Sequence, residues 1–471
     1  IVNSDWSSDV CSSDLMTESQ RAALAEYAAV KGQCPARERL AALFDDGVYT
    51  ETGSNLRAGE NLAGVVTAYG YIGGTPAYAF SQDSTVMKGA VSLAHSTKIC
   101  KMFELAARNG VPVVGIYDSC GAFVEDGADA LNAYSDILLS MGSLSGVVPM
   151  VSVISGVCAG TMAMIASSAD FSVITEGAEL YLDASGNNAS AESAAKSGAV
   201  SAYAKSDAEA MDTVRRYLSL MPQNNLSPLP EFEFDAPVSA AFDNAENAAE
   251  SIADAGSILE VYGEYGTASY TALCTVSGVT AGIAATNKTK DKLTSADCSK
   301  IARFVRLCDA YSIPVITVAD TEGFDLHGAD MVRAGAALAG AYAEASCAKI
   351  ALVSGKACGM AYIAFAGRNV AADAVYALPE AVIAPMDPVS AAEFLYHDKL
   401  KGADDLAAAR AQIAKEYAEN EGSAFAAAAK GAADEVVTAE NVRAAVASVL
   451  DVTAGKRLNK RLPKKHNILP L

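Results

Sequence analysis

Tryptophan occurs once in these 471 residues, at Trp6, and histidine four times, at His95, His327, His397 and His466. No two histidines stand at ligand spacing, which argues against a histidine-built metal centre. Ten cysteines contain no C-x-x-C pair, so neither a zinc knuckle nor a thioredoxin-like dithiol is encoded. Most lie in apolar runs, where a reduced thiol packs as a small hydrophobe, as expected of a cytoplasmic chain. Base is scarce: 35 Lys and Arg against 56 Asp and Glu leave a net charge of −21, without the basic face that nucleic acid requires. Long uncharged runs are scarce too. Residues 138–169 form one, but Gly142, Gly146, Pro149, Gly156, Gly160 and several serines break it into a strand, a turn and a small-residue helix, not a membrane span. The signatures G-x-S-x-G, G-x-x-x-x-G-K-[ST], G-x-G-x-x-G and H-E-x-x-H are all missing.

What is present is a repeat. Residues 98–121 read KICKMFELAARNGVPVVGIYDSCG and residues 300–323 read KIARFVRLCDAYSIPVITVADTEG, an offset of 202. Ser155–Thr161 pairs with Ser354–Met360, and Gly74–Tyr78 more weakly with Gly278–Gly282. A period near 200 residues means two homologous domains, not a solenoid. Each copy predicts two short strands around a tight turn (65–80; 271–285), an amphipathic helix (98–109; 300–311), and a β-branched strand ending at an Asp (111–117; 313–319). A helix (128–141; 329–344) and a buried strand (147–154; 349–353) follow, the strand running into a glycine turn and another helix. Alternating strands and helices indicate an α/β fold with largely parallel pairing.

The expected organisation is a leader over 1–15, an N-terminal domain over 16–225, an acidic linker over 226–262 and a C-terminal domain over 263–471. The leader IVNSDWSSDVCSSDL repeats SSDV/SSDL, precedes Met16 and lacks the character of a signal peptide, so it reads as non-native or disordered. Residues 207–221 and 402–449 read as helical. The tail KRLNKRLPKKHNILPL is basic and reads as a solvated or docking segment.

The repeated strand–glycine–helix junctions carry the chemistry. At Ala159-Gly160-Thr161 and Gly359-Met360-Ala361 a buried strand enters a helix through small residues. The first helical amides have no internal acceptor, and the macrodipole makes that end positive. Glycine lets an incoming oxygen approach the backbone. Two such amides aimed at one point make an oxyanion hole. A second glycine turn follows each Asp strand, at Gly121-Ala122 and Gly323-Phe324. Asp118 and Asp320 end equivalent strands and read either as a carboxylate pair or as turn caps.

These features resemble the carboxyltransferase family of biotin-dependent enzymes, which includes propionyl-CoA and acetyl-CoA carboxylase β chains and the α subunits of methylmalonyl-CoA and glutaconyl-CoA decarboxylases. The resemblance is carried by ARERL (36–40), FSQDSTVMKGA from Phe80, KICK from Lys98, DSCGAFVEDG from Asp118, GVCAGTMA from Gly156, the run from Ala302 to Phe324, GKACGMAY from Gly355, and LPKKHNILPL at the end. It implies two tandem crotonase-like (ClpP/crotonase ββα-spiral) domains. It implies that Gly121, Ala122, Ala159 and Gly160 hold a coenzyme A ester, with Gly160 and Thr161 serving the thioester oxygen. It further implies that Gly323, Phe324, Gly359, Tyr362 and Ile363 hold biotin, with Met360 and Ala361 serving the biotin oxygen and Ile363 near the α-substituent. The family has Gly where Thr161 and Met360 stand, and Arg where Phe123 stands.

By the same resemblance the partners are a biotin carboxyl carrier protein and either a biotin carboxylase or a membrane decarboxylase subunit. The chain itself would form a homo-oligomer, dimer or hexamer, cytoplasmic or membrane-peripheral. Two other readings stay open: a diverged non-catalytic subunit that oligomerises with an active paralogue, and a biotin-independent crotonase-type CoA-ester enzyme using Glu125 and Asp126 as its acid pair.

Overall fold

A computed structural model describes residues 17–183, 189–237, 239–325, 330–368, 370–456 and 468. The leader, Met16 and most of the basic tail lie outside the described residues. In the N-terminal half, β1 (Tyr49–Thr52), β2 (Val65–Ile72), β3 (Thr75–Gln82), β4 (Val113–Ser119), β5 (Met150–Ala159), β6 (Phe171–Thr175) and β8 (Ala202–Ala204) lie in that order, with β7 (Glu179–Tyr181) beside β5. Pairing is antiparallel from β1 to β3 and parallel from there on.

The C-terminal half repeats the plan. The sheet order is β9 (Leu259–Glu260), β10 (Tyr270–Val276), β11 (Val279–Ala285), β12 (Val315–Ala319), β13 (Lys349–Val353), then β15 (Ala374–Ala377) and β17 (Glu435–Val436). A separate parallel ladder joins β14 (Lys356–Cys358) to β16 (Val382–Ala384) and stands where β5 meets β7 in the first half. The helices that matter for the site are α1 (Leu93–Asn109), α2 (Asp129–Leu144), α3 (Thr161–Ser167), α4 (Asp207–Leu220), α5 (Ala245–Ile252), α6 (Ser295–Ala310), α7 (Met331–Glu344) and α8 (Met360–Phe365).

The two halves use the same local devices. Both hairpins turn on two positive-φ residues, Gly73-Gly74 and Ser277-Gly278, as a two-residue type I′ loop requires. A carboxylate pegs each turn. Asp45 accepts from the amides of Gly73 and Gly74 at 2.9 and 2.8 Å, and Asp254 accepts from those of Ser277 and Gly278 at 2.9 Å each. Helix α1 starts at Leu93, five residues before the periodicity shows it, because the Ser92 hydroxyl caps it by accepting from the His95 amide at 3.2 Å. Helix α6 starts likewise at a Thr294–Asp297 capping box.

Asp118 and Asp320 are turn fasteners, not a catalytic pair. Asp118 accepts from Arg39 Nη1 at 2.9 Å and Ser84 Oγ at 2.8 Å. Asp320 accepts from Asn287 Nδ2 at 2.6 Å and the Lys356 amide at 2.8 Å. Each carboxylate presses on a glycine: a Cβ on Gly156 would lie 2.3 Å from Asp118 Oδ1, and one on Gly355 2.2 Å from Asp320 Oδ1. Gly156 is therefore a close-approach position inside β5, and the strand continues to Ala159 instead of turning after Ile154.

Within 226–262, the stretch whose composition suggests a linker, α5 buries Ala245, Ala248, Ala249 and Ile252, and β9 pairs with β10. One hydrophobic cluster runs through both halves, with Phe171 and Tyr217 stacked at 4.3 Å. Across that junction Arg303 donates to the Ala169 carbonyl at 2.6 Å and Tyr311 OH to Asp170 Oδ2 at 2.6 Å.

The repeated lysines Lys98 and Lys300 are buried. Lys98 donates to the Val65 carbonyl and Lys300 to that of Ser269 at 2.8 Å. Burial pushes both ammonium groups down from 10.5 to about 8. The folded chain therefore binds fewer protons than the unfolded chain between pH 8 and 10.5, and these groups' contribution to stability rises with pH across that window. In urea denaturation, wild type should gain stability relative to Lys300→Met as pH rises from about 8 to 10; a constant difference would contradict the burial assigned to the ammonium. Gly355→Ala is expected to cost about 1–3 kcal/mol, from overpacking against Asp320, read as a shifted denaturation midpoint.

Candidate active site

Strands β4 and β5 end side by side, with Ser119 registered against Cys158. Two residues beyond each stands a positive-φ glycine, Gly121 at +121° and Gly160 at +63°. In the second half the Thr321 amide donates to the Lys356 carbonyl at 2.8 Å, and Gly323 (+98°) and Gly359 (+54°) follow. Hydroxyls brace the first turn of each pair: Ser119 Oγ accepts from the Gly121 amide at 3.3 Å, and Thr321 Oγ1 from that of Gly323 at 3.1 Å. Ala122 bridges to Val91 and Phe324 to Leu293. In the second turn the amides of Gly160 and Gly359 donate to the carbonyls of Tyr181 and Ala384, each at 2.9 Å.

Gly160 (φ 63°, ψ −138°) and Gly359 (φ 54°, ψ −121°) occupy the mirror image of the extended region, which a residue with a Cβ avoids. This flips the chain directly from buried strand into helix. Thr161 and Met360 are the first residues of α3 and α8, so their amides belong to the set with no acceptor inside the helix. Thr161 is exposed and Met360 is 59% exposed, so neither side chain is packed inward over the turn it follows. Ala159 and Ala361 are buried and set the packing behind the two turns.

Beside the C-terminal turns lies an apolar cavity of about 320 Å³, walled by Phe324, Met331, Val332, Gly335, Met360 and Ile363 among others. It unites Phe324 of the first turn with Met360 and Ile363 of α8. Tyr362, the biotin contact implied by the resemblance, is not among its walls, and its hydroxyl donates to the Ala432 carbonyl at 2.6 Å. Among the described residues no group of His, Cys, Asp and Glu could hold a metal ion, and no helix is long and apolar enough to cross a membrane.

Comparison with known proteins gives this doubled geometry a context. The family model for the carboxyl transferase domain matches residues 28–469. The chain belongs to the carboxyl transferase family. It is 33% identical to the methylmalonyl-CoA decarboxylase subunit alpha of Propionigenium modestum, over 93% of this chain and 94% of that one. It is 34% identical to the methylmalonyl-CoA carboxyltransferase 12S subunit of Propionibacterium freudenreichii subsp. shermanii, over 93% and 92%. It is 31% identical to the propionyl-CoA carboxylase beta chain of Cereibacter sphaeroides, over 94% of each chain. A solved transcarboxylase 12S, a hexamer with methylmalonyl-coenzyme A and methylmalonic acid bound, superposes with a TM-score of 0.86 at 32% identity, over 95% of this chain and 94% of that one. The two-domain crotonase-like fold is thereby shown for this carboxyl transferase.

The acid pair of a crotonase-type hydratase is not assembled in this carboxyl transferase. Asp126 Oδ2 accepts from the Leu93 amide at 2.9 Å, at the start of α1, and Glu125 lies exposed on its own turn. One feature of the site escapes sequence reasoning. Met87, Lys88 and Gly89 are consecutive left-handed residues, and the Lys88 carbonyl accepts from the Cys120 amide at 3.1 Å, stapling that loop onto the Gly121 turn. Gly89 is required, since a Cβ would lie 2.1 Å from the Asp118 carbonyl oxygen. Lys88 holds the same left-handed backbone (φ 54°, ψ 33°) with a side chain, which costs about 1–2 kcal/mol. Lys88→Gly should therefore raise stability by about 1 kcal/mol, a higher denaturation midpoint being the check. Gly359→Ala should cost more than Gly160→Ala, because its Cβ would also meet the Pro385 carbonyl oxygen at 3.1 Å whereas that of Gly160 meets nothing within 4 Å.

Proposed function

We propose that this chain is the carboxyltransferase subunit of a biotin-dependent acyl-CoA carboxylase or decarboxylase, moving a carboxyl group to or from the α-carbon of a short acyl-CoA. The observation that carries this reading is the doubled strand–glycine–helix turn, with closely similar glycine conformations in the two halves and helix-start amides in each. In the N-terminal half, the Thr161 amide would receive the thioester oxygen, with Gly121, Ala122, Ala159 and Gly160 shaping the acyl-CoA site around it; the Gly160 amide, read from sequence as a second donor, is taken by the Tyr181 carbonyl. Charge that develops there as the α-carbon becomes nucleophilic would meet fixed backbone dipoles that need no reorganisation.

In the C-terminal half, Met360 and Ala361 would offer the matching amides, with Gly323, Phe324, Gly359 and Ile363 around them. The apolar lining beside these amides suits an uncharged bicyclic ring better than a charged ligand. Biotin carried on a separate protein would supply the transferable carboxyl group there. The lining among the described residues holds no titratable side chain, so the chain would contribute position and dipoles, not a proton. The partners in this reading are a biotin carboxyl carrier protein, a biotin carboxylase or membrane decarboxylase subunit, and further copies of this chain. The hexamer of transcarboxylase 12S supports an oligomer, and the acidic, reduced-thiol composition supports a cytoplasmic or membrane-peripheral setting.

The test is carboxyl exchange between a carboxylated biotin carrier and propionyl-CoA or acetyl-CoA with the purified full chain. Turnover is expected, and none with any short acyl-CoA would overturn the reading. Thr161→Pro deletes one amide donor at the first helical position, where proline is tolerated. It should lower turnover by about 10²–10³ while thermal stability stays near wild type. Met360→Pro should do the same through the other hole.

A further inference from the structure

We propose that Lys356 is a positioning residue of the C-terminal half-site, its ammonium clamping together the two glycine turns that frame the Met360 and Ala361 amides. The proposal rests on the reading that this half receives the biotin oxygen. Lys356 is the first residue of β14, three residues before Gly359. Its Nζ donates to Glu322 Oε2 at 2.8 Å and also pairs with the Asp387 carboxylate. Glu322 immediately precedes Gly323, the glycine of the first turn. Asp387 ends the loop behind the second turn. In that loop the Ala384 carbonyl accepts from the Gly359 amide at 2.9 Å, and the Pro385 carbonyl oxygen stands 3.1 Å from where a Gly359 Cβ would lie.

The backbone of Lys356 is fixed as well as its side chain. Its amide donates to Asp320 Oδ1 and its carbonyl accepts from the Thr321 amide, both at 2.8 Å. Asp387 is fixed in turn, because it caps α9 (Pro388–Leu395) by accepting from the Val389 amide at 2.8 Å. Unlike Lys101–Glu104, an ion pair within one helix, this cluster joins three segments of chain that meet only in the fold. Burial opposes the ammonium's charge, but the Asp387 and Glu322 carboxylates outweigh it and raise the group above its ordinary value. The clamp therefore stays charged at neutral pH.

The internal repeat isolates the device. Aligning Asp118 with Asp320 sets Cys120 opposite Glu322, and aligning Gly156 with Gly355 sets Val157 opposite Lys356. The strand partners agree, since Val157 registers against Glu179 on β7 and Lys356 against Val382 on β16. The first half fastens Cys120 through its amide, to the Lys88 carbonyl at 3.1 Å. The second half fastens Glu322 through its carboxylate, to Lys356. Carboxylates beside a hole meant for a negative oxygen oppose that oxygen's charge, and a shared cation cancels much of their field. Backbone donors stabilise developing charge only when held within about 0.5 Å of the productive geometry, and this clamp joins the two loops that set it.

The experiment compares wild type, Lys356→Met, Lys356→Arg and Glu322→Gln in the full chain. It measures carboxyl exchange from a carboxylated biotin carrier to propionyl-CoA, calorimetric binding of propionyl-CoA, and hydrogen exchange over residues 355–365 and 156–167. Half-exposed ion pairs add little to stability, so all four proteins should fold. A clamp on this half-site predicts kcat reduced by at least about tenfold in Lys356→Met, with a smaller fall in Glu322→Gln. The Kd for propionyl-CoA should stay within about threefold of wild type, because that ligand meets the other half. Hydrogen exchange over 355–365 should quicken by at least about threefold while 156–167 is unchanged. Lys356→Arg keeps the charge and should recover most of the lost rate. A kcat within about twofold of wild type in Lys356→Met would overturn the assignment, as would a loss of rate accompanied by weaker propionyl-CoA binding or by faster exchange in both segments. An arginine variant as slow as Lys356→Met would overturn it too. If wild type transfers no carboxyl group, the functional reading fails, and hydrogen exchange over 355–365 still decides whether the clamp holds the turns.

Discussion

The site depends on a single constraint: the first amides of an α-helix have nothing inside the helix to bond to. Several helices of this chain solve that problem with side-chain caps, as Ser92 does for α1 and Thr294 does for α6, whereas α2 and α7 have none. At α3 and α8 the residue before the helix is glycine, with no side chain to cap anything. Those two helix starts have no side-chain cap, and the glycine conformation allows a buried strand to feed them without an intervening loop. The chemistry proposed for the protein is a use of backbone groups that α1 and α6 satisfy with side chains.

Holding such amides in place takes rigid surroundings, and carboxylates supply much of the rigidity. Asp45 and Asp254 peg the hairpins, while Asp118 and Asp320 lie against Gly156 and Gly355 and tie neighbouring loops to the strand ends. All four appear at equivalent places in the two halves. The acidity that composition records as surplus charge is in part a set of structural acceptors for backbone amides, arginines and short polar side chains. At the junction, Asp170 and the Ala169 carbonyl, a few residues past α3, are bound by Tyr311 and Arg303 from α6. The N-terminal turn is therefore braced from the C-terminal half.

The halves are alike in backbone and differ in side chains. Small residues on α7 and α8 leave an apolar cavity beside the C-terminal turns. An uncharged ring in that half, with an acyl thioester in the other, is the proposed use of the shared amide framework.

Repeat order, strand and helix identity, and the glycine turns were legible in the 471 residues, because periodic hydrophobicity and an internal copy each report on local structure. Lys349–Val353 and Asp207–Leu220 match their sequence readings to within a residue. Composition misled where it averaged over pattern: Glu246 and Glu250 made 245–252 look like linker, although its alanines and Ile252 are buried at helical spacing. Gly156 looked like a turn because a glycine that avoids Asp118 cannot be told, one-dimensionally, from a glycine that bends the chain. The resemblance implies a biotin contact for Tyr362, but no local pattern reports that its hydroxyl donates to the Ala432 carbonyl, 70 residues away. The sequence by itself determined where helix-start amides follow a buried strand through a glycine, since glycine, strand and helix start are local facts. Only the tertiary structure decided which side chains face those amides, because burial and partner choice depend on residues far apart in the chain.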